Sequence, residues 1–356
     1  MNLPKLTRAS CLGSLLTLSL CVCVVNALAK DSSPVTQDEI DIGEPFSISD
    51  KFKPGDEFMG VRLLGAVRIK AKKVKGEKPR ELSGLAWDAD ENLLLAISDD
   101  GLIVHLRPDF EGDLLTGVKM TAIYPLLSAD GQPLEERLRD AEGLVGRNMS
   151  NGIQGDSILY ISFEETPRID KYSMTGEYLD SLDLPAMLQA RQNYAGDNQE
   201  LEALTEHPQY GMITAPERPL RNSGTQFFSL YGVDGSIWHY PSLDHEHSAL
   251  VGMDTMPNGN LLVLERRFAS MFQPIVFALR ELQLAHPEQH EARLVRDVIK
   301  FSSTDGWKID NFESVTHHQN DRYFVISDDN ESVFQKTLLV YLQVNPEESA
   351  QIAETP

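Results

Sequence analysis

Apolar residues along this chain fall in short runs, not in a sustained helical stripe. Leu93-Leu-Leu-Ala-Ile97, Ser157-Ile-Leu-Tyr-Ile-Ser162, Phe227-Phe-Ser-Leu-Tyr231, Leu261-Leu-Val-Leu264, Tyr323-Phe-Val-Ile326 and Thr337-Leu-Leu-Val-Tyr-Leu342 are strand-like in length and content. Turn signals are spread along the same stretch of chain: Asp100-Gly101, Asp130-Gly131, Asn151-Gly152, Asp234-Gly235, Asn258-Gly259 and Asp305-Gly306. Such dipeptides supply the positive φ angles of two-residue hairpin loops. Helix signals are few. Pro133 to Arg139 and Pro185 to Arg191 each read as one or two turns inserted between strands. Phe277 to Leu284 fits either period, but with Val295 to Phe301 following it is expected to form two outer strands.

A short phrase recurs through this pattern: a polar or acidic residue, an aliphatic one, an acid, a small residue, an aliphatic one. The copies are Glu81-Leu-Ser-Gly-Leu85, Asp140-Ala-Glu-Gly-Leu144, Glu200-Leu-Glu-Ala-Leu204, Gly252-Met-Asp-Thr-Met256 and Asn311-Phe-Glu-Ser-Val315. Their third residues (Ser83, Glu142, Glu202, Asp254, Glu313) are separated by 59, 60, 52 and 59 positions. A period of this size signals a repeat architecture. The expected fold is an all-β propeller of five to six blades, each mostly four antiparallel strands, since radial blades remove long free edges. A sixth blade would come from pairing Gly60–Val67 with the strand from Lys336 to Val344. A sandwich or an open solenoid is the competing arrangement.

The ends read differently. Residues 1–29 carry Lys5 and Arg8, then an apolar stretch from Leu12 to Val25, then Ala27-Leu28-Ala29. That is the layout of a secretory signal peptide, with a core short for a membrane span; an uncleaved anchor helix is the alternative. Leu20 before Cys21 argues against a lipoprotein signal. The expected organisation is a signal peptide at 1–29, a flexible segment at 30–45, one propeller domain at 46–345 and a disordered tail at 346–356, in a periplasmic or secreted protein without a membrane span after cleavage. All three cysteines (Cys11, Cys21, Cys23) lie in the first segment, so the mature domain has neither disulfides nor thiolate sites.

Charge sharpens the picture. The 356 residues carry a formal net charge of −22, and the first 29 contain no acid. Such a field repels nucleic acid and anionic membranes and attracts cations. Surplus acid alone keeps a secreted protein soluble, but here the acid also follows the repeat. Residues two apart in a strand share a face, which groups Glu81 with Ser83, Asp140 with Glu142, Glu200 with Glu202, and Asn311 with Glu313. Each second strand ends in acid as well: Asp99, Asp100, Glu164, Glu165, Glu217, Glu265, Asp328 and Asp329. If the first strands are innermost, these groups converge on one channel mouth, with the second set along its rim.

Crowded carboxylates raise one another's pKa or take up a cation. Carboxylate and amide oxygens suit a hard ion, so Ca2+ is the expected cofactor. The metal candidates are Glu81, Asp140, Glu142, Asn198, Glu202, Asp254, Asn311 and Glu313, with Glu142, Glu202 and Glu313 as acid or base groups. Arg218 and Arg266, each following an acid, would grip an anion. Pairing with the neighbouring Glu is the structural reading of both arginines, and hydrogen bonding to turn backbones that of the acids.

In these motifs the chain resembles the phytase-like domain family, also described as having esterase-like activity of phytase. The likeness spans roughly Arg80 to Tyr341. It rests on Glu-Leu-Ser-Gly-Leu-Ala at 81–86, Ser-Asp-Asp-Gly at 98–101, Asp-Ala-Glu-Gly-Leu at 140–144, Asn198 with Glu-Ala-Leu at 202–204, Leu-Glu-Arg at 264–266, Asp-Asn-Phe-Glu at 310–313 and Ser-Asp-Asp-Asn at 327–330. The resemblance implies a secreted or periplasmic β-rich protein whose acids carry phosphoester-hydrolase-like activity on a small anionic or phosphorylated ester. Ser83 and Gly252 depart from the acidic pattern.

Other chemistries fit less well. No Gly-x-Ser-x-Gly elbow, Arg-His-Gly signature or glycine-rich phosphate loop occurs. Asp88-Ala-Asp-Glu-Asn92 lacks the glycine and the final Glu of an EF-hand and reads as a hairpin turn. His245 and His247 have the spacing of a transition-metal pair, though a solvated loop explains them equally. Two functions remain: a cation-assisted hydrolase, and a non-catalytic propeller that binds a ligand or a partner protein.

Overall fold

The protein is described by a computed structural model covering residues 39–70, 79–244, 246–268, 273–330, 332 and 335–345. The signal-peptide and tail expectations therefore fall outside the described residues. Four sheets follow chain order without crossovers. The first blade is Leu82–Asp88, Leu93–Ser98, Leu102–Glu111 and Leu114–Pro125, and the second is Ala141–Arg147, Ile158–Phe163, Arg168–Ser173 and Tyr178–Ser181. Leu201–His207, Gly211–Pro216, Phe227–Gly232 and Ile237–Pro241 form the third; Ser248–Thr255, Leu261–Arg267, Val276–Leu284 and Ala292–Ser302 form the fourth. Both segments expected as outer strands at 277–301 are strands of this fourth blade. The insertions are short helical turns at Glu136–Leu138, Ala186–Gln189 and Arg191–Asn193.

The fifth blade contains both ends of the domain. Asn311–Gln319, Arg322–Asp328 and Leu338–Val344 are completed on the outside by Val61–Ile69, paired from Leu338 opposite Arg68 to Val344 opposite Val61 with one register shift between Tyr341 and Leu342. The pairing expected to make a sixth blade instead finishes the fifth, because the C-terminal segment supplies only three strands. The first strands of the five blades touch in sequence, and the last contacts the first, so the ring is closed. This is an all-β five-bladed propeller.

Its core is five apolar layers, one between each pair of neighbouring blades. Leu94 and Ala96 pack toward the fifth blade with Phe324 and Ile326, while Leu95 and Ile97 pack toward the second with Leu159 and Ile161. A strand sandwiched this way needs apolar side chains on both faces, so Leu93–Ser98 is buried throughout. The remaining layers repeat the arrangement between blades two and three, three and four, and four and five. The segment expected to be flexible up to residue 45 is anchored from Ile40 onward. Ile40–Asp41 pairs with the outer strand of blade one and Gly43–Pro45 with Val61–Ile69 of blade five, stapling the junction where the ring closes.

The inner strands approach backbone to backbone. A Cβ on Gly84 would lie 2.7 Å from the Glu142 carbonyl oxygen, one on Gly143 3.1 Å from that of Glu202, and one on Gly252 2.8 Å from that of Glu313. At the junction of blades five and one the small residue is Ser314, whose hydroxyl accepts the Leu85 N–H at 3.0 Å. The small residue of the repeat is thus dictated by the tightness of a five-bladed ring.

Candidate functional site

In every blade the ladder between first and second strand skips at the same place. Leu82 pairs with Ser98 and Gly84 with Ile97, Leu201 with Pro216 and Ala203 with Ala215, and Phe312 with Ser327 and Ser314 with Ile326. The residues left over are Ser83, Glu202 and Glu313; in blade two the skip falls at Glu142 and Gly143. A bulge re-aims its side chain, here toward the channel mouth. Neither the Glu142 nor the Glu202 carboxyl group has a hydrogen-bond partner among the described residues.

Blade four corrects the repeat. Its skip lies between Leu250 and Gly252, so Val251 stands where the other blades have Glu or Ser, and Asp254 lies three residues further along the strand. Asp254 does not join the acidic mouth. Its carboxylate accepts the N–H groups of His317 at 2.6 Å and Thr255 at 2.7 Å, and the hydroxyls of Thr316 at 3.3 Å and Thr205 at 3.4 Å. It ties blades three, four and five together and lines a separate cavity of about 600 Å³ beside Trp87, Arg147, Glu206 and His317.

The same register applies to the second strands. The Asp99, Glu164 and Glu217 amides donate to the carbonyls of Glu81, Asp140 and Glu200, and Asp328 pairs with Asn311. The matching residue of blade four is Arg266, opposite Ala249. Glu265, expected at the rim, is fully buried, and its carboxylate accepts from Arg280 at 2.6 Å and from the Leu243 N–H at 2.9 Å. One blade therefore inserts a guanidinium into a ring that the other four line with acid.

That guanidinium divides the mouth. Arg266 donates to Glu217 at 2.8 Å, to Glu313 at 2.7 Å and to the side-chain oxygen of Asn311. Burial raises the Glu313 pKa to about 7 even though Arg266 opposes the shift. On the other side, carboxylate oxygens of Asp99, Asp140 and Glu142 lie within 4.8 Å of one another. Burial first, and the neighbouring carboxylates second, push Asp140 to about 6 and hold Asp99 and Glu142 well above the usual range. Glu164 rises to about 9 and Asp328 to about 6, chiefly through burial. Burial and the charges of Glu313, Glu164 and Glu217 also raise Glu202. Ser83 replaces an acid but joins the cluster, its hydroxyl donating to Asp99 at 2.5 Å.

The remaining candidates stand further out. Asp100 is held by Arg80 at 2.8 Å and Arg139 at 3.0 Å, and Glu81 lies next to the first of these. Glu200 is paired with Arg191 at 2.9 Å, Asn198 is exposed with a φ of 59°, and Asp329 accepts from Thr337 at 3.2 Å. The histidine pair is split by the described residues: His245 lies outside them, and His247 meets Asp244 at 3.3 Å. Asp88 caps its hairpin by accepting the N–H groups of Asp90 and Glu91.

The donor set suits a hard cation. Every candidate ligand atom in the triad is a carboxylate oxygen, and Glu164 Oε2 and Asp328 Oδ1 are buried in the same ring without a hydrogen-bond partner. Next to the ring, between blades four and five, Arg218, Arg266, Phe268, Asn311 and Asn330 line a cavity of about 400 Å³. Sequence patterns pointed to its arginines and Asn311, and Asn330 closes the Ser-Asp-Asp-Asn motif at 327–330, but no pattern pointed to Phe268.

A family model described as phytase-like, esterase-like activity of phytase, matches residues 79–331. No curated protein matches the chain. Among solved structures, the WD40 β-propeller domain of Doa1 is similar at 13% identity, covering 88% of this chain and 96% of that one with a TM-score of 0.34. A protein of unknown function from Bacteroides thetaiotaomicron is similar at 8% identity, covering 86% of this chain and 77% of the other with a TM-score of 0.38.

Proposed function

We propose, for a chain that belongs to the phytase-like family, that the acidic mouth hydrolyses phosphate or related esters with the help of one hard divalent cation, Ca2+ being the first choice. The observation that carries this reading is the convergence of Asp99, Asp140 and Glu142 beside an unpartnered carboxylate oxygen of Glu164. These residues would hold the ion, which when bound supplies polarisation of the phosphoryl oxygen and activation of water. Arg218 binds the remaining phosphate oxygens, with Arg266, already paired with Glu217 and Glu313, at the edge of the same site. Glu313, with a pKa of about 7, takes a proton from the attacking water. Glu202, whose carboxyl pKa is held well above the usual range by burial and by the charges of Glu313, Glu164 and Glu217, gives a proton to the departing alkoxide as the ester bond to phosphorus breaks. Ester and water become acid and alcohol, and the two carboxyl groups exchange protons with solvent to reset. The apolar segment at residues 12–25 favours action outside the cytoplasm.

The test is turnover of a phosphomonoester, phosphodiester and carboxylester panel, with Ca2+ and with EDTA. Glu202→Gln is expected to lower kcat at least about 100-fold with an unchanged circular dichroism spectrum. Asp99→Asn with Glu142→Gln is expected to abolish the Ca2+ dependence. Absence of turnover on every ester, together with a melting temperature indifferent to Ca2+, would leave the ligand-binding propeller as the correct reading.

A further inference from the structure

The 400 Å³ cavity beside the acid ring has a lining unlike the rest of the mouth: among the described residues, no carboxylate lines it. Arg218 faces it with its charge uncompensated. The Arg218 guanidinium donates to the backbone carbonyls of Ser248 at 2.6 Å and Glu246 at 3.5 Å, and no acid pairs with it among the described residues. Arg266, by contrast, already shares its charge with Glu217 and Glu313. The side-chain amides of Asn311, Asn330 and Gln335 and the imidazole of His247 belong to the polar part of the cavity. Its other wall is apolar, made by Ile275 and Phe268, the latter 45% exposed. In a chain with 54 acidic residues and 32 basic ones, a pocket whose described lining has no carboxylate and includes a guanidinium with no acid partner among the described residues is a place for an anion.

We propose that this cavity selects an ester of a single phosphate group that carries an apolar arm, such as an aryl or alkyl phosphate, and discriminates against polyphosphorylated polyols. The inference rests on the hydrolase reading of the same mouth. One free guanidinium matches one phosphate, and the amides of Asn311 and Asn330 offer neutral hydrogen bonds to its oxygens. The arm lies on Phe268 and Ile275, covering aromatic surface that is otherwise wet. Further phosphates on a polyol would face Glu217 and Asp328 instead of cations, and the like charges would repel.

Calorimetric titration of the full chain with diphenyl phosphate, inorganic phosphate and myo-inositol hexakisphosphate tests this directly. Diphenyl phosphate is expected to bind at least tenfold tighter than inorganic phosphate. Phe268→Ser, an exposed position that leaves folding intact, should erase that advantage and leave inorganic phosphate binding as it was. Arg218→Gln should weaken both at least tenfold, and Arg218→Lys should restore part of the loss if the charge, not the fold, was removed. Tightest binding by the hexakisphosphate, or an unchanged preference in Phe268→Ser, overturns the proposal. The two readings fail separately. Binding of diphenyl phosphate without turnover of any ester sinks the hydrolase and keeps the ligand class. Efficient turnover of the hexakisphosphate, with no apolar preference, does the reverse.

Discussion

Asp254 and Arg266 show how one residue's neighbours decide its role. Both belong to the blade whose repeat departs from the others, and each takes a position that composition alone would give to a different function. Asp254 has four hydrogen-bond donors around its carboxylate, two of them backbone amides from two blades. Burial raises its pKa while those donors lower it, the balance of a structural tie. Removing the acceptor in Asp254→Ala is expected to cost about 1–3 kcal/mol for each N–H left unsatisfied, measured by urea unfolding. Asp254→Asn keeps one acceptor oxygen and should lose less. Loss of turnover in Asp254→Asn at unchanged stability would contradict this role. The misreading of Asp254 has a physical source. The structurally equivalent phrase, Ala249-Leu-Val-Gly-Met253, keeps the small and aliphatic residues but carries no acid, so a search led by acid slides three residues along the strand.

At the scale of the strand, the bulge and the small residue after it form one device. The bulge turns an acid to the mouth, and the next residue lets the adjoining strand come close enough to bring the following blade's acid alongside. Gly143 sits between the Ser162 hydroxyl, 2.5 Å from its hypothetical Cβ, and Leu204 at 2.7 Å. Gly143→Val is expected to destabilise by about 1–3 kcal/mol or more through overpacking, visible as a lower urea midpoint at unchanged slope. A midpoint equal to that of the parent would mean that the ring widens freely. The period of these phrases was legible in the sequence because close packing repeats a composition. The register was not, since a bulge adds one residue without changing residue type. Glu265 and Arg266 are adjacent in sequence, yet one is buried against Arg280 and the other enters the mouth.

For the whole molecule, the concentration of acid at one mouth makes stability depend on pH in a defined sense. Asp140 and Asp328 titrate at about 6, Glu313 at about 7 and Glu164 at about 9, all above their unfolded values. The native state therefore holds protons that the unfolded chain has released. Without a divalent ion, the contribution of these four groups to stability is fully present in acid, begins to fall above the unfolded carboxylate range, and declines until the last of them ionises. Carboxylate ligands bind cations only when ionised, so Ca2+ should raise the melting temperature more at about pH 8 than at about pH 5. Thermal melts with Ca2+ and with EDTA at the two pH values check both slopes. A chelated protein that gains stability as the pH rises would contradict the clustering. The fold class was readable because five apolar layers require strands apolar on both faces. The blade number was not, since the strand from Val61 to Ile69 gives no sign of which blade it completes.

The pairing of Val61–Ile69 with Leu338–Val344 also governs when the protein can exist during synthesis. The outer edge of the last blade is made before the four preceding blades, and its partner after them. A ribosome that has produced four blades has an open arc on its surface, with apolar faces of blades one and four uncovered. Those faces find their partners only when the strand Leu338–Val344 emerges, so a nascent chain must be kept from aggregating until that strand has been made. A chain cut short before Leu338 would lack that closure altogether.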